Sequence, residues 1–378
     1  MRPIREPRRP TITVLMTVFN GGAYLPVAIR SILTQQYADF ELLVVDDCST
    51  DGSGDCARAM GDVRIRVHRN EQNLGQTKSL NVGLRMARGR YIARLDADDE
   101  ALPLWLGTLR NALESSPERP VVGSSSVIID AMGHARRTFP KPTDERDILL
   151  SYIYDTPTLH GSVLMDCNAV LAVGGYDESF AVCQDYELWS ALMRLGRFVQ
   201  NVPDVLVKIR VTTESVSVKS RERLVQESAT TLQRNVRHMT SLDLTFEEAS
   251  RLRRLFLWPW ELNPADFHRS VDLFLSAYDR FRPEYGVPRK ALSAFAVRCL
   301  SKPYCKLAAA HLSEGHNVAA RALTDAYLEM NRRSGRALAL HVLTYMPGLE
   351  HIDVHQAYAW WESVRMRTGV DAWSKRQG

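Results

Sequence analysis

The chain has 378 residues, of which 45% are hydrophobic and 24% charged, and its formal net charge is +4. This composition is ordinary for a globular protein, and so small a net charge argues against a nucleic-acid-binding protein. No stretch approaches about 18 consecutive apolar residues, which argues against a transmembrane helix. The length allows one large domain and a smaller one.

The chain begins with a basic segment, MRPIREPRRP, that lacks the apolar run of a signal peptide. We interpret residues 1–10 as a disordered basic tail, with weak attraction to an anionic membrane surface as the alternative. The six cysteines form no CxxC pair and no Cys/His metal spacing, so we expect reduced thiols. These features predict a cytoplasmic protein and leave open a peripheral contact with the inner face of the membrane.

Short β-rich runs alternate with helical patterns in the first part of the chain. The predicted elements are, in chain order, a strand over residues 11–18, a helix over 24–33, a strand over 41–47, a short helix after the turn-forming run CSTDGSGD, a strand over 64–68, a helix over 77–87, a strand over 91–95, a helix over 103–113 that starts at Pro103, and a strand over 121–129. This alternation predicts an α/β fold whose mostly parallel, Rossmann-like sheet carries helices on both faces.

Beyond about residue 220 the strand patterns end, and Ala, Leu and Arg at helical spacing predict an all-α region over residues 221–378. Residues 306–312 and 318–328 resemble an antiparallel helix pair around a turn at Gly315. The tryptophans of this region are expected in the core, with a partner surface or a membrane interface as alternatives. These tryptophans are Trp258, Trp260, Trp360 and Trp361.

Polar clusters follow three of the predicted strands. They are Thr17, Phe19 and Asn20 at the end of the first strand, Asp46 and Asp47 at the end of the second, and Asp96, Asp98 and Asp99 at the end of the fourth. Ligands of an open parallel sheet bind at the carboxyl ends of its strands, so we expect the clusters to converge. Each cluster alone is also typical of turns and helix caps. The carboxylates of these two strand ends, however, repel one another unless a cation offsets their charge.

Carboxylate oxygens are hard ligands that suit Mg²⁺ or Mn²⁺, and these ions bind substrate phosphates. Such an ion would stabilise the charge that develops on a nucleoside diphosphate leaving group. An aspartate of the second strand end would accept an N–H of the base, and Phe19 would stack on the ring. Asn73, Gly75 and Lys78 lie in a turn and in the first turn of the helix that follows, which suits an anion site, although an ordinary capped helix fits them as well.

The sequence resembles family 2 glycosyltransferases, which have the GT-A fold and are mostly inverting enzymes. Five blocks carry the resemblance over residues 11–218, in the order of the family. They are TVLMTVFNGGAYLPVAIRSILTQQYADFELLVVDDCSTDGSGD, NLGQTKSLNVGL, GRYIARLDADD, LHGSVLMDCNAVLAVGGYDESFAVCQDYELWSAL and KIRVTTESVS. The resemblance implies a glycosyltransferase domain over residues 11–220, followed by the helical region.

The resemblance also implies roles for individual residues. Thr17, Phe19 and Asp47 would contact the nucleotide base, and Asp96, Asp98 and Asp99 would form the metal and ribose cluster, a DXD motif, with Asp98 and then Asp99 as metal ligands. Asp185 of CQDYELW stands at the position of the catalytic base, and Gln184 replaces the commoner Glu. His160, Gly161 and Trp189 would lie on the acceptor side. The alternative for Asp185 is the N-cap of a helix over residues 186–195.

One position departs from the family pattern. In many relatives the closing segment reads YR-x-H before a Ser-rich turn, and its histidine can help to bind the diphosphate or the metal. Here the segment reads Ile209-Arg210-Val211-Thr212, so Thr212 replaces that histidine. Arg210 remains as a residue that would reach a phosphate. The departure puts in doubt an imidazole ligand from the protein, but the aspartate cluster is intact.

The sequence therefore predicts a metal-dependent glycosyltransferase of the bacterial surface-glycan type. The donor would be a UDP-sugar, with dTDP and GDP as alternatives, and the acceptor a glycan or lipid-linked glycan hydroxyl. A catalytically inactive scaffold of the same fold is the alternative. A nucleotidyltransferase is disfavoured because VFNGGAYL is not its Gly-rich basic loop, and a dehydrogenase because GxGxxG is absent. The nucleotide-site pattern does not favour a hydrolase.

Overall fold

A computed structural model describes residues 9–212, 220–313 and 316–331 of the chain. The chain divides into two compact units between residues 231 and 232, inside the helix Arg221–Thr240. Residues 1–8 of the predicted basic tail lie outside the described residues. The same is true of Gly315, Trp360 and Trp361.

The first unit is built on a mixed β-sheet. Its strands are β1 (Ile12–Val18), β2 (Phe40–Asp46), β3 (Ile65–Arg69), β4 (Tyr91–Arg94), β5 (Glu100–Ala101), β6 (Val121–Ile129), β7 (Ala135–Phe139), β8 (Leu164–Asp166) and β9 (Val199–Arg210). They lie in the order β3-β2-β1-β4-β8-β6-β9-β5, and β7 pairs with β6. Strands β1 to β4 are parallel to one another, as predicted, whereas β8 is antiparallel to both β4 and β6.

Helices connect and cover these strands. The first unit contains α1 (Leu25–Leu33), α2 (Ser53–Ala59), α3 (Gln76–Met86), α4 (Trp105–Ser115), α5 (Glu145–Ser151), α6 (Cys167–Ala172) and α7 (Gln184–Arg194), and α8 (Arg221–Thr240) crosses the division between the units. The second unit contains α9 (Phe246–Leu257), α10 (Pro264–Asp279), α11 (Arg289–Ser313) and α12 (Asn317–Met330). Of the helices in the described residues, none is both long and apolar enough to cross a bilayer.

Strand β1 forms the centre of the core because both of its faces are covered. Val14 and Met16 are fully buried in a cluster that includes Ile29 of α1. Leu15 points to the opposite face, where a Cβ on Gly83 of α3 would collide with its side chain. Glycine at position 83 thus allows α3 to pack closely on β1, and the continuous apolar run of the strand is explained by burial on both sides.

Most predicted elements of the first unit are confirmed to within about two residues. Three predictions need correction, one in the first unit and two in the second. The helix predicted from Pro103 begins at Trp105, because the carbonyl of Pro103 instead accepts the backbone N–H of Gln36 at 3.0 Å. In the second unit, α11 starts 17 residues before the predicted residue 306, at Arg289. Trp260 is 45% exposed with Lys306 over its ring, so the core interpretation is wrong for this tryptophan.

Candidate functional site

The strand ends that carry the polar clusters lie at one edge of the sheet. Val18 at the end of β1 pairs with Asp46 of β2, and Leu15 of β1 pairs with Arg94 at the end of β4. Phe19, the residue after β1, is 52% exposed, which is unusual for a phenylalanine next to a buried strand. Thr17, the last residue but one of the same strand, is partly buried. The predicted convergence of the three clusters at this edge is confirmed.

The two aspartates at the end of β2, Asp46 in the strand and Asp47 directly after it, differ in how they are held. Asp46 is fully buried and accepts hydrogen bonds from Ser49 N at 2.9 Å and Arg69 Nη1 at 2.5 Å. Asp47 accepts three hydrogen bonds of 2.8 Å, two on Oδ1 from Asn70 Nδ2 and Leu74 N and one on Oδ2 from Gly75 N. A carboxylate oxygen accepts about two hydrogen bonds, so Oδ2 retains room for one more donor. This is the capacity that recognition of a base N–H requires.

Asn20, predicted to bind the nucleotide, instead joins the loops after β1 and β2. It adopts the left-handed conformation, with φ at 53°. Its Oδ1 accepts the N–H of Thr50 at 2.8 Å, and its own N–H donates to Ser49 Oγ at 3.0 Å. Its oxygen is thus used within the protein, and its contact with the nucleotide stays a prediction.

The start of α3 remains open to a ligand. Gly75 has φ at 83°, a conformation that favours glycine, and its N–H is fixed by Asp47. Asn73 and Lys78 are both exposed. Lys78 lies in the first turn of the helix, next to the positive end of the helix dipole, as the predicted anion site requires.

The aspartate cluster after β4 packs around buried guanidinium groups. Arg94, 3% exposed, donates to both carboxylate oxygens of Asp96. Asp99 is buried and accepts the backbone N–H of Arg210 at 2.8 Å. A Cβ on Gly161 would lie 3.0 Å from Asp99 Oδ2 and 3.3 Å from Asp96 Oδ2, so the glycine leaves a small space against both carboxylates. The structure thus brings the predicted acceptor-side Gly161 to the aspartate cluster.

The surroundings disfavour the ionised form of two of these carboxyl groups. Burial, reinforced by the charge of Asp96, raises the pKa of Asp98 to about 6. The same causes, with the charge of Asp98 added, raise the pKa of Asp99 well above its ordinary value. Both shifts show that another positive charge would be favourable here. Among the described residues, no group of three or more His, Cys, Asp and Glu is arranged to hold a metal ion.

Arg210 does not face a phosphate, and we correct the role that the sequence predicted for it. Its Nε donates to the carbonyl of Asp98 at 3.0 Å, and its Nη2 to Glu100 Oε1 at 3.0 Å. Its Nη1 donates to the carbonyls of Asp130 and Ala131, and the ring of Tyr24 lies 4.5 Å from the guanidinium carbon. Since Arg210 is 6% exposed and four of its five guanidinium N–H groups donate to protein acceptors, it fixes the turn that presents Asp98 and Asp99.

Asp185 lies one residue inside α7. The helix begins at Gln184 with Cys183 as its N-cap, so the N-cap alternative for Asp185 is wrong. Burial raises the pKa of Asp185, while the charges of Arg94 and Lys141 act in the opposite direction. A partly buried carboxyl with a raised pKa is suited to take up a proton, which is the property expected of a general base.

A chain of hydrogen bonds connects Asp185's neighbour to the aspartate cluster. Gln184 Nε2 donates to Gln76 Oε1 at 3.0 Å, and Gln76 Nε2 donates to Asp96 Oδ1 at 3.3 Å. Gln184 is 3% exposed, and its Oε1 has no hydrogen-bond partner among the described residues. The start of α7 therefore lies beside the aspartates, and Gln184 in place of the usual Glu adds no further negative charge to them.

His160 and Trp189 form a buried aromatic group on the predicted acceptor side. His160 Nε2 lies 2.7 Å from the hydroxyl of Tyr176, and its ring meets those of Tyr176 and Trp189 edge-on. Burial lowers the pKa of His160 well below its ordinary value, and Arg94 adds to this effect, so the imidazole is neutral. Trp189 is 0% exposed, so its indole packs behind His160, and we correct the prediction that it lines the acceptor cleft.

The loop before Asp185 is held by residues that the sequence did not indicate. Glu227 of α8 accepts the backbone N–H groups of Ala181, Val182 and Cys183 at 2.9, 2.8 and 2.9 Å. Burial raises the pKa of Glu227, but these N–H groups outweigh burial and leave it lowered. On the other side of the loop, Thr77 Oγ1 of α3 donates to the carbonyl of Phe180 at 2.6 Å. Glu227 lies more than 40 residues from the loop, so no local pattern could have identified it.

Comparison with protein families matches residues 13–172 to the family described as Glycosyl transferase family 2. The EpsE protein of Bacillus subtilis (strain 168) is 31% identical over 216 residues, which cover 56% of this chain and 77% of EpsE. Three curated relatives, EpsE among them, are covered over 66 to 77% of their own length.

Two solved structures share the architecture. TarS of S. aureus (residues 1–349, in complex with UDP-GlcNAc) has a TM-score of 0.52 and 14% identity, over 88% of this chain and 90% of that chain. The mannosyltransferase PcManGT of Pyrobaculum calidifontis, in complex with GDP-Man and Mn²⁺, has a TM-score of 0.52 and 20% identity, over 90% and 89%. At these identities the likeness concerns the fold alone, and it confirms the predicted GT-A type of α/β fold.

Replacing Glu227 by Gln should loosen the loop before Asp185. The amide removes the charge that receives three backbone N–H groups, at a cost of about 1–3 kcal/mol of unfolding free energy. We expect backbone amides 181–183 to exchange hydrogen at least about tenfold faster. Mass-spectrometric exchange measures this rate, with Glu222→Gln, an exposed carboxylate of the same helix, as the matched control. Equal exchange in both variants would contradict the role of Glu227.

The raised pKa of Asp98 should make the first unit less stable as pH rises. A carboxyl whose pKa is higher in the folded state stays protonated at pH values at which the unfolded chain has released the proton. The stabilisation of the folded state by this proton is therefore complete below the unfolded pKa and is lost as pH rises through the folded pKa of about 6. In EDTA we expect a loss of about 1–3 kcal/mol between pH 4 and 8. Urea unfolding measures it, and Asp98→Asn should flatten the profile. The same slope in both proteins would refute the assignment.

Proposed function

The chain belongs to glycosyltransferase family 2, and from this membership we propose that it transfers a sugar from a nucleoside-diphosphate donor to a hydroxyl group, with inversion at the anomeric carbon. The observation that carries the proposal is the composition of the carboxyl edge of the sheet. An exposed aromatic ring at Phe19, a spare acceptor on Asp47, the aspartate cluster and Asp185 are arranged along it. A hexosyltransferase that uses a UDP-sugar is our first choice.

The donor nucleotide would lie along the ends of β1 and β2. Phe19 would stack on the base, and Oδ2 of Asp47 would accept its N–H. Lys78 and the N-terminus of α3 would face the diphosphate. TarS, in complex with UDP-GlcNAc, and PcManGT, in complex with GDP-Man, share this fold, and they support a nucleotide-sugar as the donor class.

The aspartate cluster fits a divalent cation. Asp98 and Asp99 would hold it, because a cation would offset the burial and the repulsion from Asp96 that raise their pKa values, and carboxylate oxygens suit Mn²⁺ or Mg²⁺. When bound, such an ion supplies positive charge to the leaving diphosphate. The described residues form no group of three such ligands, so phosphate oxygens and water would have to supply the remaining ligands of the ion. The complex of PcManGT with Mn²⁺ supports the same class of ion.

Asp185 would act as the general base. Its carboxylate takes the proton of the acceptor hydroxyl as the oxygen of that hydroxyl bonds to the anomeric carbon. The bond from that carbon to the diphosphate oxygen breaks on the opposite side, and the electron pair leaves with the diphosphate. Arg94 and Lys141 act to lower the pKa of Asp185, which keeps a fraction of the carboxyl ionised before the reaction. Neutral His160 and Gly161 would border the acceptor side.

The acceptor and the cellular setting extend this proposal. We propose a glycan or lipid-linked glycan hydroxyl of the bacterial cell surface as the acceptor, with the protein in the cytoplasm or in peripheral contact with the membrane. Residues 11–220 would form the transferase domain, and residues 221–378 a helical region. The three contacts of Glu227 show that the first helix of this region also supports the loop before the proposed base.

Nucleotide binding should depend on both the metal and Asp98. We expect one of UDP, dTDP, GDP and CDP to bind in the presence of Mn²⁺, with UDP as first choice. Asp98→Asn should weaken this binding by about 1–3 kcal/mol, since it removes a charged ligand. Titration calorimetry with and without Mn²⁺ measures both effects.

Asp185→Asn provides the matched control for this titration. It changes a carboxylate of the same edge that the proposal assigns to the acceptor, so it should bind the nucleotide as the unsubstituted protein does. If the folded protein bound none of the four diphosphates, the donor site would be refuted, and a catalytically inactive scaffold of this fold would become the better description.

A further inference from the structure

A second cleft lies at the opposite edge of the same sheet. It has a volume of about 830 Å³ and is lined in part by Thr11 before β1 and Tyr91 at the start of β4. Since these parallel strands run from this edge toward Phe19 and the aspartates, the cleft is separated from the proposed donor site by the length of the strands. The proposed transfer reaction uses no residue of this cleft.

Arginines dominate the lining of this cleft. Those that line it are Arg9, Arg85, Arg88, Arg90 and Arg110. Glu114 is the one acidic side chain of the lining, and Arg110 pairs with it through two hydrogen bonds of 3.0 and 2.9 Å. The arginine cleft, as we call it, therefore carries a net charge of +4 from its lining, five positive charges less one negative.

The other four arginines have exposed side chains without an ion pair to any residue that the structure describes. Arg90 lies over the ring of Tyr91 at 4.9 Å, which orients its guanidinium without neutralising it. Arg85 is in the last turn of α3, where a cation is favourable for the helix dipole. That explanation does not extend to Arg88 and Arg90, which follow the end of the helix.

Repulsion among these guanidinium groups is offset best by a multivalent anion. The planar guanidinium offers paired N–H donors that match phosphate oxygens, so several arginines around one concave surface favour a phosphate over a single carboxylate. The cleft also exposes an apolar residue, Leu171, to 44%.

We propose that the arginine cleft is a second anion site, which binds the phosphate group of a ligand other than the sugar donor. The phosphate has two possible sources, the headgroups of an anionic phospholipid surface or a phosphorylated compound in solution. The recognition chemistry is the same for both, and the experiment separates them.

The test compares three forms of the full chain. One variant combines Arg85→Gln, Arg88→Gln and Arg90→Gln. The matched control combines Arg30→Gln, Arg137→Gln and Arg197→Gln, which removes the same charge from exposed arginines elsewhere in the first unit. Each form is floated with vesicles of phosphatidylcholine alone or with about 30% phosphatidylglycerol. Each is also titrated with inorganic phosphate in EDTA, so that no divalent ion recruits phosphate to the aspartates.

We expect binding in at least one arm, weakened about tenfold or more in the cleft variant and less than about twofold in the control. Loss of vesicle binding assigns the site to a lipid surface, and loss of phosphate binding assigns it to a ligand in solution. Equal weakening in both variants would show a general charge effect and overturn the proposal. Absence of binding in both arms by the folded, unsubstituted protein would overturn it as well. Neither result depends on transferase activity.

Discussion

Three carboxylates and two buried guanidinium groups meet at the carboxyl end of β4, and the geometry of the proposed site depends on how their charges are balanced. Arg94 neutralises Asp96, and Arg210 holds the turn of Asp98 and Asp99 through its backbone N–H and its side chain. Neither arginine offers an ion pair to Asp98. The two arginines thus hold the cluster in place while Asp98 has no ion pair among the described residues, and the proposed cation would supply the missing positive charge.

The same balance extends to the proposed base. Arg94 influences the pKa of both Asp185 and His160, so one buried cation connects the donor side with the acceptor side. The start of α7 is fixed relative to the aspartates by Gln76 and Gln184, and the preceding loop by Glu227 and Thr77. A reacting carboxyl on a rigid support loses little entropy on reaching its working position, which favours catalysis by orientation.

The predictability of this molecule follows from the range over which each residue acts. Strands β1 and β2 are continuous apolar runs because they are buried on both faces, and the aspartates after β4 stand at a strand end, so local patterns revealed both. Strand β9 was missed because VQNVPDVLVKIR contains Pro203 and alternates weakly, and β7 because it is exposed and basic. The place of β9 in the sheet comes from pairing with β5 and β6, which are distant in the chain.

The roles of site residues divide in the same way. An exposed Phe19 and a partly buried Asp185 agree with the sequence interpretation, since their neighbours in the chain define them. Arg210, Asn20 and Trp189 were assigned to ligands, yet each serves a contact within the protein that only the folded chain creates. Glu227 was invisible for the same reason, because its three partners belong to another segment of the chain.

The most direct test of this account is the position of the metal ion. Crystals grown with Mn²⁺ and the nucleoside diphosphate that binds would be measured at the manganese absorption edge. The account predicts an anomalous peak within about 2–2.5 Å of a carboxylate oxygen of Asp98 or Asp99, with the base next to Phe19 and Asp47. A nucleotide bound at this edge with its ion on other residues, or a nucleotide bound elsewhere, would contradict it.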